Sequence, residues 1–117
     1  VVVDDSIVRG TTGSQVVALL RKGGAKEIHL RICAPPFKHP CYFGVDLPSR
    51  KDMIASNRNV KEICDFMGAD SLGYLTIPAL KRAVEKVSSK SCMACFTGDY
   101  PIPVQLEMDK FVFEKTD

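Results

Sequence analysis

The chain has 117 residues, 45% of them hydrophobic and 26% charged, with a net charge of +2 and five cysteines. That length is enough for one compact domain with its own core. The small net charge argues against nucleic acid or an anionic membrane as a partner, and no apolar run approaches the roughly 20 residues that span a bilayer. An odd cysteine count with no signal-peptide pattern argues against a disulfide scaffold and for cytosolic thiols, free or on a metal.

The sequence opens inside a strand pattern, so Val1 is expected to lie within a longer domain. Val1–Val3 reads as a strand buried on both faces, as in a parallel sheet. Asp4 to Gly13 reads as a loop. A helix is predicted from about Thr12, where Thr12-Gly13-Ser14-Gln15 fits a capping box. Val16, Val17, Leu19 and Leu20 would form its apolar face, and Gly23-Gly24 its end. Glu27–Cys33 is a second strand, with Ile28, Leu30 and Ile32 on one side. Strand, helix and strand in this order make a βαβ unit with parallel strands and a right-handed crossover.

Pro35, Pro36, Pro40 and Pro48 then interrupt regular structure, and a boundary is placed after Lys38. Ser49–Ala55 suggests a short helix. Asn59 caps the next, with Val60, Ile63, Cys64 and Met67 at i, i+3, i+4 and i+7. "SLGYL" is a candidate strand. Ile77, Leu80, Val84 and Val87 mark a helix over about 77–87. The last stretch, "QLEMDKFVFEKTD", partly alternates and reads as a strand or a loose tail.

The chemistry concentrates at the front. In an open parallel sheet, ligands bind at the carboxyl ends of strands. Asp4 and Asp5 stand at such an end. The loop after them leads into a helix N-terminus, whose free N–H groups and dipole favour an anion. Gly10 permits close backbone approach, and Ser6, Thr11, Thr12 and Ser14 add hydroxyl donors. Carboxylates suit sugar hydroxyls or Mg²⁺, and the donor cup suits a phosphate, so a sugar phosphate fits both halves. A nucleoside triphosphate fits less well, because the P-loop pattern and its lysine are absent.

"VVVDDSIVRGTT" resembles the phosphoribosyl pyrophosphate (PRPP) motif of the type I phosphoribosyltransferases. With "GAKEIHLRICAPPFKHPCYFGVD" and "CMACFTGDYP", the chain resembles the glutamine PRPP amidotransferases from Val1 to about Pro101. The resemblance implies an α/β fold, part of a type I phosphoribosyltransferase sheet with flanking helices, followed by a helical, cysteine-bearing region. It implies that Asp4 and Asp5 contact the ribose hydroxyls and Mg²⁺. The loop from Ser6 through Arg9, Gly10, Thr11 and Thr12 to Gly13 would hold the 5′-phosphate. Gly13 departs from the serine common there, which removes one hydroxyl donor. Arg9 can pair with a phosphate oxygen or face solvent.

Cys92-Met93-Ala94-Cys95 is a C-x-x-C that spacing alone leaves open between redox, zinc and cluster use. Cys41, in the turn "KHPCYFG", is the natural third thiolate. The resemblance implies that Cys41, Cys92 and Cys95 ligate a 4Fe–4S cluster whose fourth thiolate lies upstream of this sequence. Zinc on the same thiolates is the alternative in the isolated segment. Cys64 falls on an apolar helix stripe and reads as core, and Cys33, at a strand end, also reads as structural. His29 and Arg31 read as surface or packing residues on a strand. His39 reads as an exposed turn residue, and "TGDYP" as a turn.

Residues 1–38 are therefore expected to close a phosphoribosyltransferase core, and residues 39–117 to carry the helices and cluster cysteines. The resemblance implies an enzyme that makes 5-phosphoribosylamine from PRPP and glutamine in the first committed step of purine synthesis. It also implies a glutaminase domain upstream and a homo-oligomer; the cytoplasm is the default compartment, with any organelle signal outside this sequence. The segment alone is expected to be inactive and to contain no catalytic residue. Two other readings are a PRPP sensor of the same fold that performs no reaction and a zinc-stapled interaction domain.

Overall fold

A computed structural model describes residues 1–87 and 90–104. The expected strand or tail in the final stretch lies outside the described residues. Three parallel strands form one sheet in the order β1 (Val2–Asp4), β2 (His29–Ile32), β3 (Ser71–Tyr74). Their register aligns Asp4, Ile32 and Tyr74 across the carboxyl end. Helix α1 (Thr11–Lys22) joins the first two strands. The short α2 (Ile54–Asn57) and α3 (Val60–Met67) lie between the second and third. Beyond the sheet come α4 (Ile77–Val84) and the single turn α5 (Ala94–Thr97). The α/β class and the parallel βαβ unit are those the sequence predicts.

One apolar cluster holds the sheet to its helices. It contains Ile7, Val17, Ile28, Leu30, Ile32, Ile54, Ala55, Ile63 and Met67. Residues on both sides of Lys38 contribute, because α3 packs against β3 and α1. Ile28, Leu30 and Ile32 are each at most 4% exposed, as their alternation demands. Asn59 starts α3 with a full capping box: its side chain accepts from the Glu62 amide while Glu62 accepts from the Asn59 amide. Gly68 ends that helix at φ 73°. Thr76 caps α4 through the Ala79 amide.

Several local expectations are corrected. The helix expected from Thr12 begins at Thr11, and its cap is Gly10, at φ 81°, with no side-chain cap bond. The Thr12 capping box does not form; Ser14 Oγ instead donates back to the Gly10 carbonyl. Only Val17 of the α1 apolar face is buried, while Leu19 is 69% exposed. β1 is not covered on both faces, since Val3 is 68% exposed. The helix expected over Ser49–Ala55 begins only at Ile54. No residue of α4 is fully buried, and Val87 lies beyond its end, exposed. Cys33 is exposed rather than packed, whereas Cys64 is buried as expected, with Sγ 3.2 Å from the Ala69 carbonyl oxygen. No helix among the described residues is long and apolar enough to cross a membrane.

Candidate functional site

The carboxyl end of β1 runs straight into the loop that starts α1. Asp4 is the last residue of the strand. Its Oδ1 accepts from the Asp5 amide at 2.9 Å, and Asp5 Oδ1 accepts from Ser6 Oγ at 2.9 Å. Both aspartates are exposed. The loop dips into the core at Ile7, 4% exposed, and returns to the surface at Arg9. Gly10 is buried, and Thr11 and Thr12 open the helix on its exposed side. The first intrahelical bond is donated by the Ser14 amide to the Gly10 carbonyl, 3.0 Å. The amides of Thr11, Thr12 and Gly13 therefore have no intrahelical acceptor, as at any helix start. Acidic side chains are absent from this first turn, so its partial positive charge is not offset locally. One short loop thus joins two exposed carboxylates at the strand end to the start of α1.

The two glycines of this loop differ in what they require. Gly10 has a left-handed backbone, and a Cβ there would lie 2.8 Å from Ile54 Cδ1 and 3.2 Å from Phe66 Cε1. At Gly13 a Cβ would run into Met67 Cε. The missing serine at position 13 thus has a packing counterpart, because the Met67 side chain fills that space.

The cysteine region forms a second constellation. The amides of Lys38 and His39 both donate to the Cys95 carbonyl, at 3.0 and 3.1 Å. Tyr100 Oη donates to the Pro40 carbonyl at 2.7 Å. Phe37 packs on Phe96, and Tyr42 on Tyr100. The turn holding Cys41 is thereby fastened to α5, which holds Cys95. The Phe43 amide approaches Cys41 Sγ at 3.4 Å. Burial pushes the Cys95 thiol up, and charge on nearby Cys41 and Cys92 adds to the shift. Among the described residues, no three His, Cys, Asp or Glu side chains are grouped closely enough to hold a single metal ion.

His39 is half-buried, not exposed, and its ring sits where a Cβ on Gly98 would point. Burial lowers its pKa, and Arg50 and Lys38 lower it further against the opposing Asp99. Sequence reasoning did not single out Phe37, Phe96 or Tyr100. The signal lay in two matching strings, "PFKHPCYFG" and "CFTGDYP", each joining a cysteine to aromatics and a glycine. His29 bridges Glu27 and Ser71 on the sheet surface, and Arg31 also bonds Ser71, in keeping with packing roles.

No protein-family model matches the chain. It is 51% identical over 111 residues to "Amidophosphoribosyltransferase 1, chloroplastic" of Arabidopsis thaliana, covering 94% of this chain and 20% of that protein. Against the amidophosphoribosyltransferase of Methanothermobacter thermautotrophicus it is 46% identical over 111 residues, covering 95% and 23%. A solved structure described as glutamine PRPP amidotransferase from B. subtilis, complexed with ADP and GMP, superposes with a TM-score of 0.80. That match is 42% identical and covers 90% of this chain and 24% of the other. The chain spans 20% to 23% of the length of these curated relatives.

Proposed function

The chain is a homologue of one segment of the amidophosphoribosyltransferases, and we propose that it supplies the part of such an enzyme that grips the ribose and 5′-phosphate of PRPP. The observation that carries this reading is the joining of Asp4 and Asp5, through one short loop, to the free amides of Thr11, Thr12 and Gly13. Carboxylates at a strand end accept sugar hydroxyls, and a helix start accepts phosphate. Residues 1–38 carry this grip. Helices α2 and α3 beyond it would brace it, and Cys41, Cys92 and Cys95 follow in the same C-terminal part.

The whole enzyme would displace pyrophosphate from C1 of the ribose with ammonia, giving 5-phosphoribosylamine. Glutamine would supply the ammonia through a separate glutaminase domain, and the assembly would be a homo-oligomer. Mg²⁺ bound beside the pyrophosphate would offset the charge of the leaving group. Asp4 and Asp5 would orient the ribose and offset positive charge developing at C1. Ser6, Arg9, Gly10, Thr11, Thr12 and Gly13 would hold the 5′-phosphate, so the sugar cannot turn away. These are binding and orienting roles, and no proton transfer is assigned to this segment.

Cys41, Cys92 and Cys95 would supply three of the four thiolates of a 4Fe–4S cluster. The charge that Cys41 and Cys92 exert on the Cys95 thiol supports this reading. Such a group would staple α5 and the 36–42 turn to a cysteine elsewhere, a structural task in a reaction with no redox step.

The test is calorimetric titration of PRPP with Mg²⁺ into the full-length protein carrying this segment. Asp4→Asn with Asp5→Asn should weaken PRPP binding by roughly tenfold or more, equivalent to about 1.4 kcal/mol per decade. Unchanged affinity overturns the reading. Iron and acid-labile sulfide in the same anaerobic preparation, both lowered by Cys92→Ser, are expected; zinc alone overturns the cluster assignment.

A further inference from the structure

We propose that Ile54, Phe66 and Met67 are positioning residues for the phosphate loop, acting through its two glycines without touching the ligand. This rests on the reading of that loop as the phosphate cup. The loop has little internal bracing. Its side-chain bonds are all local, from the Asp5 amide to Asp4, from Ser6 to Asp5 and from Ser14 Oγ back to the Gly10 carbonyl. Its shape comes instead from α2 and α3, which meet it at three points. The Ile54 amide donates to the Val8 carbonyl at 2.9 Å. Ile54 Cδ1 and Phe66 Cε1 lie against Gly10, filling the space a side chain would need. Met67 fills the same space at Gly13.

These contacts bracket the donors that matter. Gly10 immediately precedes the three free amides, and Gly13 is the last of them. A shift of the seat would tilt the N–H groups away from a phosphate, and small misplacements of preorganised donors are costly. Phe66 is itself held from outside: the Arg58 guanidinium carbon stands 4.5 Å from its ring centroid. Phe66 is 45% exposed, so it contributes little to the core that its ring borders. A half-exposed aromatic resting on a buried glycine with positive φ makes sense as a strut. Ile54 and Met67, both buried in the main cluster, tie that strut to the rest of the fold.

The experiment uses the full-length protein and reads PRPP affinity, the KM for glutamine and Tm together. Phe66→Ala should weaken PRPP binding by about tenfold while the glutamine KM changes less than about twofold. Phe66→Leu, which keeps bulk against Gly10, should recover most of the loss. Ile54→Val removes only Cδ1, the atom against Gly10, and costs a folded core only about 0.5–1.5 kcal/mol. It should weaken PRPP by about threefold, and it reads the proposal if Phe66→Ala does not fold. PRPP affinity within twofold of wild type in Ile54→Val and in folded Phe66→Ala overturns the inference. So does an equal loss in Phe66→Leu and Phe66→Ala. Wild type and the Asp4/Asp5 double variant are titrated alongside. If wild type does not bind PRPP, or the double variant binds normally, the reading of the site itself falls. If both behave as expected and the seat variants match wild type, only the positioning role falls.

Discussion

Arg21 Nη2 stands 2.6 Å from Asp70 Oδ2, and the same carboxylate oxygen accepts from the Ile28 amide at 2.7 Å. Arg21 also donates to the carbonyls of Lys26 and Gly68. One ion pair thus joins the end of α1, the entry to β2 and the turn between α3 and β3. These are the three places where the βαβ unit must close. The pair is charge-assisted and its carboxylate oxygen is shared with a backbone amide, which distinguishes it from an ordinary surface pair.

The pair sets an acid limit on stability. The Ile28 amide, and then Arg21, hold the Asp70 carboxyl below its usual value of 3.8. A carboxylate with a depressed folded pKa stabilises the fold above its unfolded value, and that contribution disappears as pH falls through the folded value. Asp70→Asn should therefore lower Tm most clearly above pH 3.8. The gap to wild type should narrow as the pH falls further. Thermal melts followed by circular dichroism across the acid range check this. A gap that stays constant into strong acid would assign the loss to packing instead.

The Asn59 capping box holds the start of the helix that carries Phe66 and Met67. Asn59→Ala removes the acceptor for the Glu62 amide and should cost about 1 kcal/mol. In urea titration the midpoint should fall while the slope m stays unchanged, because the surface exposed on unfolding is the same. A changed slope would mean that α3 had detached in the native state.

Gly98 closes α5 at φ 84°, and a Cβ there would stand 2.9 Å from His39 Cε1. Gly98→Ala carries two penalties, a left-handed backbone with a side chain and a clash with the ring. The backbone term alone is about 1–2 kcal/mol. The local consequence is more specific. Displacing His39 should break the bonds that the amides of Lys38 and His39 donate to the Cys95 carbonyl. Cys95, whose thiol burial pushes up, would then be better solvated and more readily ionised. Alkylation of Cys95 in the metal-free chain at fixed pH should speed up in Gly98→Ala. An unchanged rate would show that α5 does not depend on this contact.

The parts legible in the sequence are those that a local period or a side-chain cap announces. Ile28, Leu30 and Ile32 mark β2 by alternation, and Asn59 marks α3 by its cap. The Asp4–Gly13 loop was legible because its chemistry lies on consecutive residues. The cap of α1 was not. A glycine cap has no side chain to read, and Thr12 offered a hydroxyl at a plausible place. Val3 and Leu19 misled for another reason: an apolar pattern marks a face fit for burial without saying what covers it. The seat under Gly10 was invisible because it joins Gly10 to Phe66 across the βαβ unit. Sequence reasoning credited that glycine with letting the backbone approach a ligand closely. The structure adds a steric reason, as it does for the absent serine at position 13.

Tyr74 tests whether the carboxyl end of the sheet is complete within these residues. It ends β3 in register with Ile32, and so in the same row as Asp4. Its Oη is buried with no hydrogen-bond partner among the described residues. Burial alone pushes its pKa up from 10.0 to about 12. An unpaired buried hydroxyl costs about 1–3 kcal/mol, so removing it should help or leave the fold unchanged. Tyr74→Phe in this chain should keep or raise Tm at neutral pH. Alkaline behaviour gives an independent check. A raised folded pKa means that ionisation leaves stability untouched below pH 10 and lowers it as pH rises toward 12, because the unfolded phenol ionises first. Tyr74→Phe should therefore flatten the alkaline limb of the Tm profile. A fall in Tm at neutral pH would instead reveal a hydroxyl already satisfied in solution.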